Sequence, residues 1–289
     1  MVPAVACFNA DEGLDLDGFA SNLRAHLAAG ADGVLVAGST GEAALLDEGE
    51  RQRLLEMARS VVPSDRWLLA GVGAESTRQV VRRCAVAADI GCDVALVVAP
   101  HYYGPQMTTQ ALLAHYRRIA DSSPIPVGLY NIPKYMHFAL AAELVAEMAQ
   151  HPNVIGIKDS SGDPALLAGY LASQSDTFGV LTGSGTGLAA ALAAGASGGI
   201  LAVGLLATGL ARGIVDAARA GDGERAEALQ RLMHPAAREV VVELGVPGVK
   251  AALDALGLTG GPCRAPLLSL DAAGKARVRA ALVASGLLA

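Results

Sequence analysis

The sequence of 289 residues is poor in aromatic side chains and in cysteine. Aromatic residues make up 4% of the chain, and its four cysteines form no C-x-x-C pair. Small secreted domains that depend on disulfides are shorter and richer in cysteine, so that class is excluded. Residues 1–4 lack the basic patch and apolar run of a secretory signal. We therefore expect a cytoplasmic protein with free thiols.

Sequence signatures of cofactor and metal binding are also missing. No G-x-G-x-x-G follows the first apolar run, and no Walker A sequence occurs anywhere in the chain. No H-x-x-x-H pair is present, and His26, His115 and His234 have the spacing of helix-surface residues. We therefore expect no metal and no bound cofactor.

Charge and hydrophobicity narrow the partners further. The net charge of −6 gives no reason to expect nucleic acid or an anionic membrane as partner, which leaves small molecules. Residues 182–211 contain no charge and exceed the roughly 20 residues that span a bilayer. Eight glycines interrupt this stretch, so a buried helix, strand and helix are favoured over a membrane span.

Short apolar runs alternate with helical periodicity along most of the chain. Eight runs predict strands at 2–7, 33–37, 67–70, 93–99, 126–130, 154–158, 178–182 and 198–201. Eight helices are predicted at 16–29, 47–62, 77–90, 109–122, 139–150, 164–173, 187–194 and 205–220. This order is typical of repeated βα units. It predicts an α/β fold, a (β/α)8 TIM barrel over residues 1–221, although an open doubly wound sheet stays possible.

The strand signal stops near residue 221, and residues 222–289 predict a C-terminal helical extension. Four helices are expected there, at 224–233, 235–244, 249–256 and 272–284. Pro247 and the run 257–262 are interpreted as turns between them.

Lys158 is the most informative polar residue, because it ends the apolar run 154–157. Active sites of (β/α)8 barrels lie at the carboxyl ends of the strands. Burial without a partner favours the free amine, which can attack a ketone and form an iminium. The alternatives are an ion pair with Asp159 or an ammonium that reaches solvent.

Two other strand ends carry candidate groups. Tyr130 ends the preceding strand, and adjacent strands lie roughly 4.8 Å apart, so its phenol and the amine of Lys158 are expected to converge. An aromatic side chain packed on the rim is the alternative for Tyr130. The second strand runs into residues 38–42, a glycine-flanked turn with two hydroxyls. Such a turn either binds a carboxylate or is an ordinary capped loop.

At these three positions the chain resembles the pyruvate-dependent class I aldolases, the family of dihydrodipicolinate synthase and N-acetylneuraminate lyase. Residues 38–42 (GSTGE), 130–133 (YNIP) and 156–159 (GIKD) are similar to the carboxylate-binding, catalytic-tyrosine and Schiff-base motifs of that family. The match extends over nearly the whole chain. It implies that Lys158 forms an imine with pyruvate and that Tyr130 relays protons.

The resemblance also implies roles for other residues. Ser39 and Thr40 would hold the substrate carboxylate beside Gly41, while Gly183 and Ile200 would line the pyruvate pocket. Tyr102 matches a tyrosine that family members lend to a neighbouring subunit. A homotetramer, arranged as a dimer of dimers, is therefore expected.

One departure bears on the second substrate. Synthases of this family carry an arginine five residues after the catalytic tyrosine, and here that position is Tyr135. Without a guanidinium to bind a carboxylate, synthase activity is disfavoured, and Lys134 or His137 is a candidate contact for a different aldehyde. The segments 245–250 and 260–267 are similar to 4-hydroxy-2-oxoglutarate aldolase.

We therefore expect reversible cleavage of a 4-hydroxy-2-oxo acid to pyruvate and an aldehyde such as glyoxylate. Alternatives are 4-hydroxy-tetrahydrodipicolinate synthase, an aldolase or dehydratase of 2-keto-3-deoxy sugar acids, and a non-catalytic barrel that binds a 2-oxo acid.

Overall fold

The computed structural model describes residues 1–289 and contains eight strands. They form one parallel sheet in the order of the sequence, from β1 to β8. The strands are Val2–Pro3 (β1), Gly33–Val36 (β2), Trp67–Gly71 (β3), Val94–Val98 (β4), Val127–Asn131 (β5), Val154–Asp159 (β6), Gly179–Thr182 (β7) and Gly198–Gly199 (β8).

Helices follow the strands along the chain and continue after the last of them. They are Leu16–Ala28 (α1), Glu48–Val61 (α2), Thr77–Ile90 (α3), Thr109–Ser122 (α4), Pro133–Met136 (α5), Ala142–Met148 (α6), Pro164–Leu171 (α7), Leu188–Ala193 (α8), Thr208–Arg219 (α9), Gly223–Pro235 (α10), Gly245–Ala255 (α11) and Ala272–Ala284 (α12). Eight parallel strands in sequential order, each followed by helix, make a (β/α)8 barrel with a C-terminal helical extension. The predicted fold class is confirmed.

Three helices, α3, α4 and α12, begin directly after a side chain that caps their first turn. Ser76, Thr108 and Asp271 each accept a hydrogen bond from a backbone N–H in the first turn of α3, α4 and α12. Such caps satisfy donors that have no partner within the helix. The sequence predicts the bounds of these three helices to the residue because their start signals are local.

The first and last strands are shorter than the apolar runs predict. Only two residues of each are paired as strand. The backbone beyond β1 makes other contacts, since Cys7 O accepts a hydrogen bond from Asp15 N and Phe8 bridges to Leu14.

The C-terminal extension differs from prediction at a proline. The sequence predicts a turn at Pro247, but this residue lies inside α11. A proline is tolerated there because the first N–H groups of a helix have no carbonyl partner. Before α11, the chain continues from α10 into a π-helical segment at Ala236–Glu243.

The prediction that His26 and His115 lie on helix surfaces is wrong. Both are buried, and burial lowers the pKa of each imidazole to about 4. The ring of His115 also shares a hydrogen bond with Thr77 Oγ1 at 2.9 Å. The third candidate, His234, is exposed as predicted.

By backbone contacts the chain divides into two compact units. One comprises residues 1–68, 185–189 and 200–289, and the other comprises residues 69–184 and 190–199. The first has Phe19 and Leu23 among its fully buried side chains, and the second has Tyr116 and Tyr170. The boundary at residue 221 stays a prediction.

Other features of the sequence can be placed in this fold. None of the four cysteines forms a disulfide, and no group of three or more His, Cys, Asp or Glu side chains is arranged to hold a metal ion. None of the helices has both the length and the apolar character needed to cross a membrane.

Candidate active site

Lys158 lies near the carboxyl end of β6 and contacts the aromatic ring of Tyr130 on β5. The two residues are register partners in the parallel pairing of these strands. Both side chains are buried, each about 5% exposed, and Lys158 Nζ lies 4.2 Å from the centroid of the Tyr130 ring. A cation over an aromatic face is attracted by the ring's quadrupole. The structure thus brings together the two groups that the sequence singles out for chemistry.

Asp159, the next residue, is not the partner of Lys158. Its Oδ1 accepts hydrogen bonds from Asn131 Nδ2 at 2.8 Å and from Ser161 N at 3.0 Å, and its Oδ2 accepts one from Ser161 Oγ at 2.7 Å. The carboxylate is therefore used to fix the strand ends. Lys158 and Asp159 therefore do not form the ion pair that was the alternative prediction for Lys158.

Gly183 lies beside the Lys158 side chain, directly after β7. Its N–H donates to Asp159 O at 2.6 Å. A Cβ added at this position would lie 1.9 Å from Ser160 Oγ and 3.0 Å from Lys158 Cε. A larger residue would therefore displace the Ser160 side chain and crowd the lysine, so glycine leaves room for this close approach.

The segment after β5 presents the residues expected to meet the second substrate. Lys134 and Tyr135 are exposed on α5, and Lys134 Nζ lies 6.0 Å from the centroid of the Tyr135 ring. Burial of its hydroxyl and the nearby Tyr130 both raise the pKa of Tyr135. The phenol of Tyr135 is therefore a neutral hydrogen-bonding group at neutral pH.

Two side chains hold the far end of this segment. Asn131 Oδ1 accepts a hydrogen bond from Leu140 N at 3.0 Å, and Tyr170 OH donates to Leu140 O at 2.6 Å. Both contacts are buried, so they fix where the segment returns to the protein. The sequence motif contained Asn131 without suggesting this role.

Tyr102 lies in the turn after β4 and is 78% exposed. Its ring packs edge-on against Tyr103, with centroids 5.0 Å apart. The backbone N–H groups of His101 and Tyr102 both donate to Glu75 Oε2, which fixes the turn. Tyr102 is thus held at the surface of the protein.

Ser39, Thr40 and Gly41 form a single 3-10 turn after β2, in the other compact unit. The hydroxyl residues are half-buried, while a Cβ on Gly41 would lie 2.7 Å from Ala4 O. The turn is flanked by Ala37 and Glu42 at φ of 55° and 54°. Non-glycine residues seldom adopt this left-handed region, and such strain often accompanies function.

Ile200 belongs to the same unit as that turn. It follows β8 and is buried, and the next residue, Leu201, donates its N–H to Met1 O at 3.1 Å. The predicted site residues are thus placed in two groups, Tyr102, Tyr130, Lys134, Lys158 and Gly183 in one unit and Ser39, Thr40, Gly41 and Ile200 in the other.

Sequence reasoning gave no individual role to Glu42 or Lys250. These residues form a buried ion pair, with Lys250 Nζ 2.5 Å from Glu42 Oε1. Both lie in segments that resemble family motifs, residues 38–42 and 245–250. The only available signal was their membership of those motifs, because nothing local indicates that they pair.

Comparison with known proteins identifies the family. The model of the dihydrodipicolinate synthetase family matches residues 1–285. A 4-hydroxy-tetrahydrodipicolinate synthase of Methanoculleus marisnigri is 36% identical over 274 residues, covering 94% of this chain and 93% of the relative. An uncharacterized DapA-like lyase of Halobacterium salinarum is 38% identical over 287 residues, covering 99% and 93%.

Solved structures agree with the sequence comparison. The chloride-inhibited dihydrodipicolinate synthase of Acinetobacter baumannii, solved in complex with pyruvate, matches with a TM-score of 0.94 and 27% identity. The match covers 99% of this chain and 98% of that structure. The resemblance drawn from the three motifs is confirmed, and with it the lyase class. The chain belongs to the dihydrodipicolinate synthetase family.

Proposed function

We propose that this protein is a lyase that binds pyruvate-type 2-oxo acids as an imine on Lys158. The observation that carries the proposal is the position of Lys158 Nζ, buried and 4.2 Å from the centroid of the Tyr130 ring. The neighbouring carboxylate of Asp159 binds Asn131 and Ser161 instead, so no ion pair with it has to be broken before the amine reacts.

The reaction needs an electron sink and a proton carrier, and the chain has a group for each. The amine of Lys158 attacks the ketone, and the carbonyl oxygen leaves as water to give an iminium. The iminium accepts the electron pair of the breaking C3–C4 bond while the 4-hydroxyl loses its proton and becomes the aldehyde. The enamine is then protonated at C3, and water releases pyruvate. Tyr130 carries the protons, and no cofactor takes part.

The remaining site residues are proposed to bind rather than to react. Ser39 and Thr40 offer hydroxyl donors to the substrate carboxylate, with backbone N–H groups of the turn through Gly41. Gly183, which leaves room beside Lys158 Cε, and Ile200 line the pocket for the pyruvyl carbons.

For the second product we propose an aldehyde such as glyoxylate, formed from a 4-hydroxy-2-oxo acid. Tyr135 occupies the position at which synthases carry an arginine, and its neutral phenol cannot form a two-pronged ion pair with a carboxylate. Lys134 on the same turn supplies a single positive charge for the aldehyde instead.

The second candidate is 4-hydroxy-tetrahydrodipicolinate synthase, which the name of the Methanoculleus relative favours. An assay with pyruvate and aspartate semialdehyde, run beside one with 4-hydroxy-2-oxoglutarate, separates the two. Efficient condensation in the first assay without cleavage in the second would contradict the aldolase proposal. A panel of 2-keto-3-deoxy sugar acids tests the third activity.

For the assembly we propose a homotetramer built from two dimers. The support is the exposure of Tyr102, which is held rigidly at the surface and free to reach a neighbouring subunit's site. Sedimentation velocity gives the oligomeric state. A monomer with full activity would contradict both the tetramer and the shared tyrosine.

The first experiment is chemical trapping of the imine. The protein is incubated with pyruvate and sodium borohydride, which reduces an iminium to a stable secondary amine, and the adduct is located by peptide mass spectrometry. The chain has four lysines, and label on Lys158 alone is expected. The buried, paired Lys250 is an internal control. Pyruvate binding with no adduct would favour the non-catalytic barrel.

A further inference from the structure

A charged cluster lies behind the 3-10 turn of Ser39 to Gly41 and links it to the C-terminal extension. Lys250 on α11 is 1% exposed. Its Nζ donates to Pro262 O at 2.6 Å and lies 2.5 Å from Glu42 Oε1. The contact with Glu42 lacks the alignment of a hydrogen bond, so the attraction there is that of an ion pair. Lys250 thus joins the tail to the residue that ends the turn.

The other oxygen of Glu42 is also bound by the tail. Arg264 N donates to Glu42 Oε2 at 2.9 Å. The Arg264 side chain goes elsewhere, to Glu50 at the start of α2. Both cations lie close to the ring of Phe8, with Lys250 Nζ 4.5 Å and Arg264 Cζ 4.1 Å from its centroid. The C-terminal extension therefore makes two ion pairs with the barrel. The pair of Lys250 with Glu42 contacts the turn, and the pair of Arg264 with Glu50 contacts α2.

Glu42 needs this support because its backbone is strained. At φ 54° it occupies the left-handed region, and its N–H donates to Ser39 O across the turn. A non-glycine residue stays in that region only when its surroundings hold it there. The ion pair and the bond from Arg264 N are the contacts that hold the Glu42 side chain, and hence the conformation that presents Ser39 and Thr40.

Stability alone is a weak reason for such a pair. Two buried charges cost desolvation that their attraction seldom exceeds, and apolar replacements are often as stable. An ion pair between distant segments of the chain does fix their relative position, because a buried charge is stable only while its partner is in contact with it.

We infer that Glu42 and Lys250 are positioning residues, which set the affinity for the substrate carboxylate by holding the turn that binds it. Neither residue reaches the substrate. The C-terminal extension acts through them on the proposed binding turn, so the inference rests on the proposed function of Ser39 and Thr40.

The test uses the full-length protein and two matched double variants. Glu42→Gln with Lys250→Met removes the pair on the turn, and Glu50→Gln with Arg264→Met removes the neighbouring pair on α2. In both, the main-chain N–H of residue 264 is kept. Borohydride trapping is measured against pyruvate concentration, which gives a half-saturating concentration and a rate at saturation.

The variant that lacks Glu42 and Lys250 is expected to need about tenfold more pyruvate for half-saturation. That is the effect of losing about one hydrogen bond between the turn and the substrate carboxylate. The rate at saturation is expected to stay within about threefold of wild type. The α2 variant is expected to keep the wild-type half-saturation. Reversible unfolding would raise the half-saturating concentration by the inverse of the folded fraction. Trapping is therefore run well below the melting temperature of each variant, where that fraction is close to one and a rise reports positioning rather than stability.

An unchanged half-saturating concentration in the turn variant, with the wild type labelled on Lys158, would overturn the inference and leave the proposed function standing. An equal rise in both variants would also overturn it. A wild type that forms no adduct would contradict the proposed function instead. The same comparison is then made with the rise in melting temperature that pyruvate produces, where a smaller rise confined to the turn variant supports the inference and equal rises overturn it.

Discussion

Lys158 holds its amine against an aromatic face rather than beside a carboxylate. A ring attracts a cation by roughly 0.5–2 kcal/mol, less than breaking a buried ion pair costs. The amine can therefore leave the ring of Tyr130 for a substrate carbonyl at small cost. The same ring carries a hydroxyl, so in the proposed reaction one residue would both pack the amine and relay a proton.

Replacing Tyr130 with phenylalanine separates these two roles. Tyr130→Phe keeps the face for Lys158 and removes the hydroxyl, so turnover is expected to fall about 10²- to 10⁴-fold with little change in melting temperature. Tyr116→Phe is the control, because it removes a buried hydroxyl that has no hydrogen-bond partner. Steady-state kinetics check the result, and a rate near wild type in Tyr130→Phe would assign the relay to another group.

The strands around the site approach each other closely where two glycines pair. Gly156 on β6 faces Gly179 on β7, and a Cβ on Gly156 would lie 2.4 Å from Gly179 O. Backbone cannot yield as the end of a flexible side chain does. This pair lets β6 and β7 keep their register up to Lys158.

Adding a methyl group at Gly156 is expected to destabilise the protein. Overpacking of this kind costs typically 1–3 kcal/mol, and Gly156→Ala is expected to lie at the upper end. Gly209→Ala in α9 is the matched control, since no atom lies within 4 Å of its added Cβ. There the change is expected to stabilise by about 0.5–1 kcal/mol. Urea unfolding measures both, and equal shifts would contradict the steric argument.

The segment between β5 and α6 is held mainly at its end. Removing the side chain in Asn131→Ala leaves Leu140 N without a partner, at a cost of about 1–3 kcal/mol. In this variant we expect faster hydrogen exchange at the Leu140 amide. We also expect the KM for the aldehyde to rise more, relative to wild type, than the KM for pyruvate. Tyr170→Phe frees the carbonyl of the same residue and is expected to act in the same direction. Unchanged exchange at Leu140 in both variants would contradict this role.

For the molecule as a whole, two buried histidines make stability depend on pH. The pKa of His26 and of His115 is lowered by burial from 6.5 to about 4, so both are neutral in the folded protein near neutral pH. Between these values the unfolded chain binds protons that the folded one does not. Stability is therefore complete above about pH 6.5 and falls as pH decreases toward 4.

The loss for each histidine is expected to reach about 3 kcal/mol near pH 4. Urea unfolding between about pH 7.5 and pH 5 measures the slope. His26→Gln is expected to reduce the slope, because glutamine does not titrate. An identical slope in wild type and His26→Gln would contradict the assignment.

The order of elements was predictable because its signals are local. Apolar runs, helical periodicity and capping residues such as Ser76 and Thr108 act over a few positions, and they predict both fold class and several helix bounds. The error at Pro247 has a local cause too. A proline in the first turn of a helix and one in a loop have the same sequence signal.

The proximity of two candidate groups was predictable from the sequence. Lys158 and Tyr130 lie near the carboxyl ends of neighbouring parallel strands, and such strands place successive ends at one edge of the sheet. The use of Asp159 was not predictable, because its partners Asn131 and Ser161 are chosen by side-chain geometry rather than by position along the strand.

By itself, the sequence determined the alternation of strand and helix, the family motifs and the presence of a lysine near the carboxyl end of β6. The tertiary structure alone decided which polar groups are buried and with what. The burial of His26 and His115 and the pairing of Glu42 with Lys250 depend on segments far apart in the chain. Periodicity describes one helix at a time, and the environment of a side chain is made by whichever other elements pack against it.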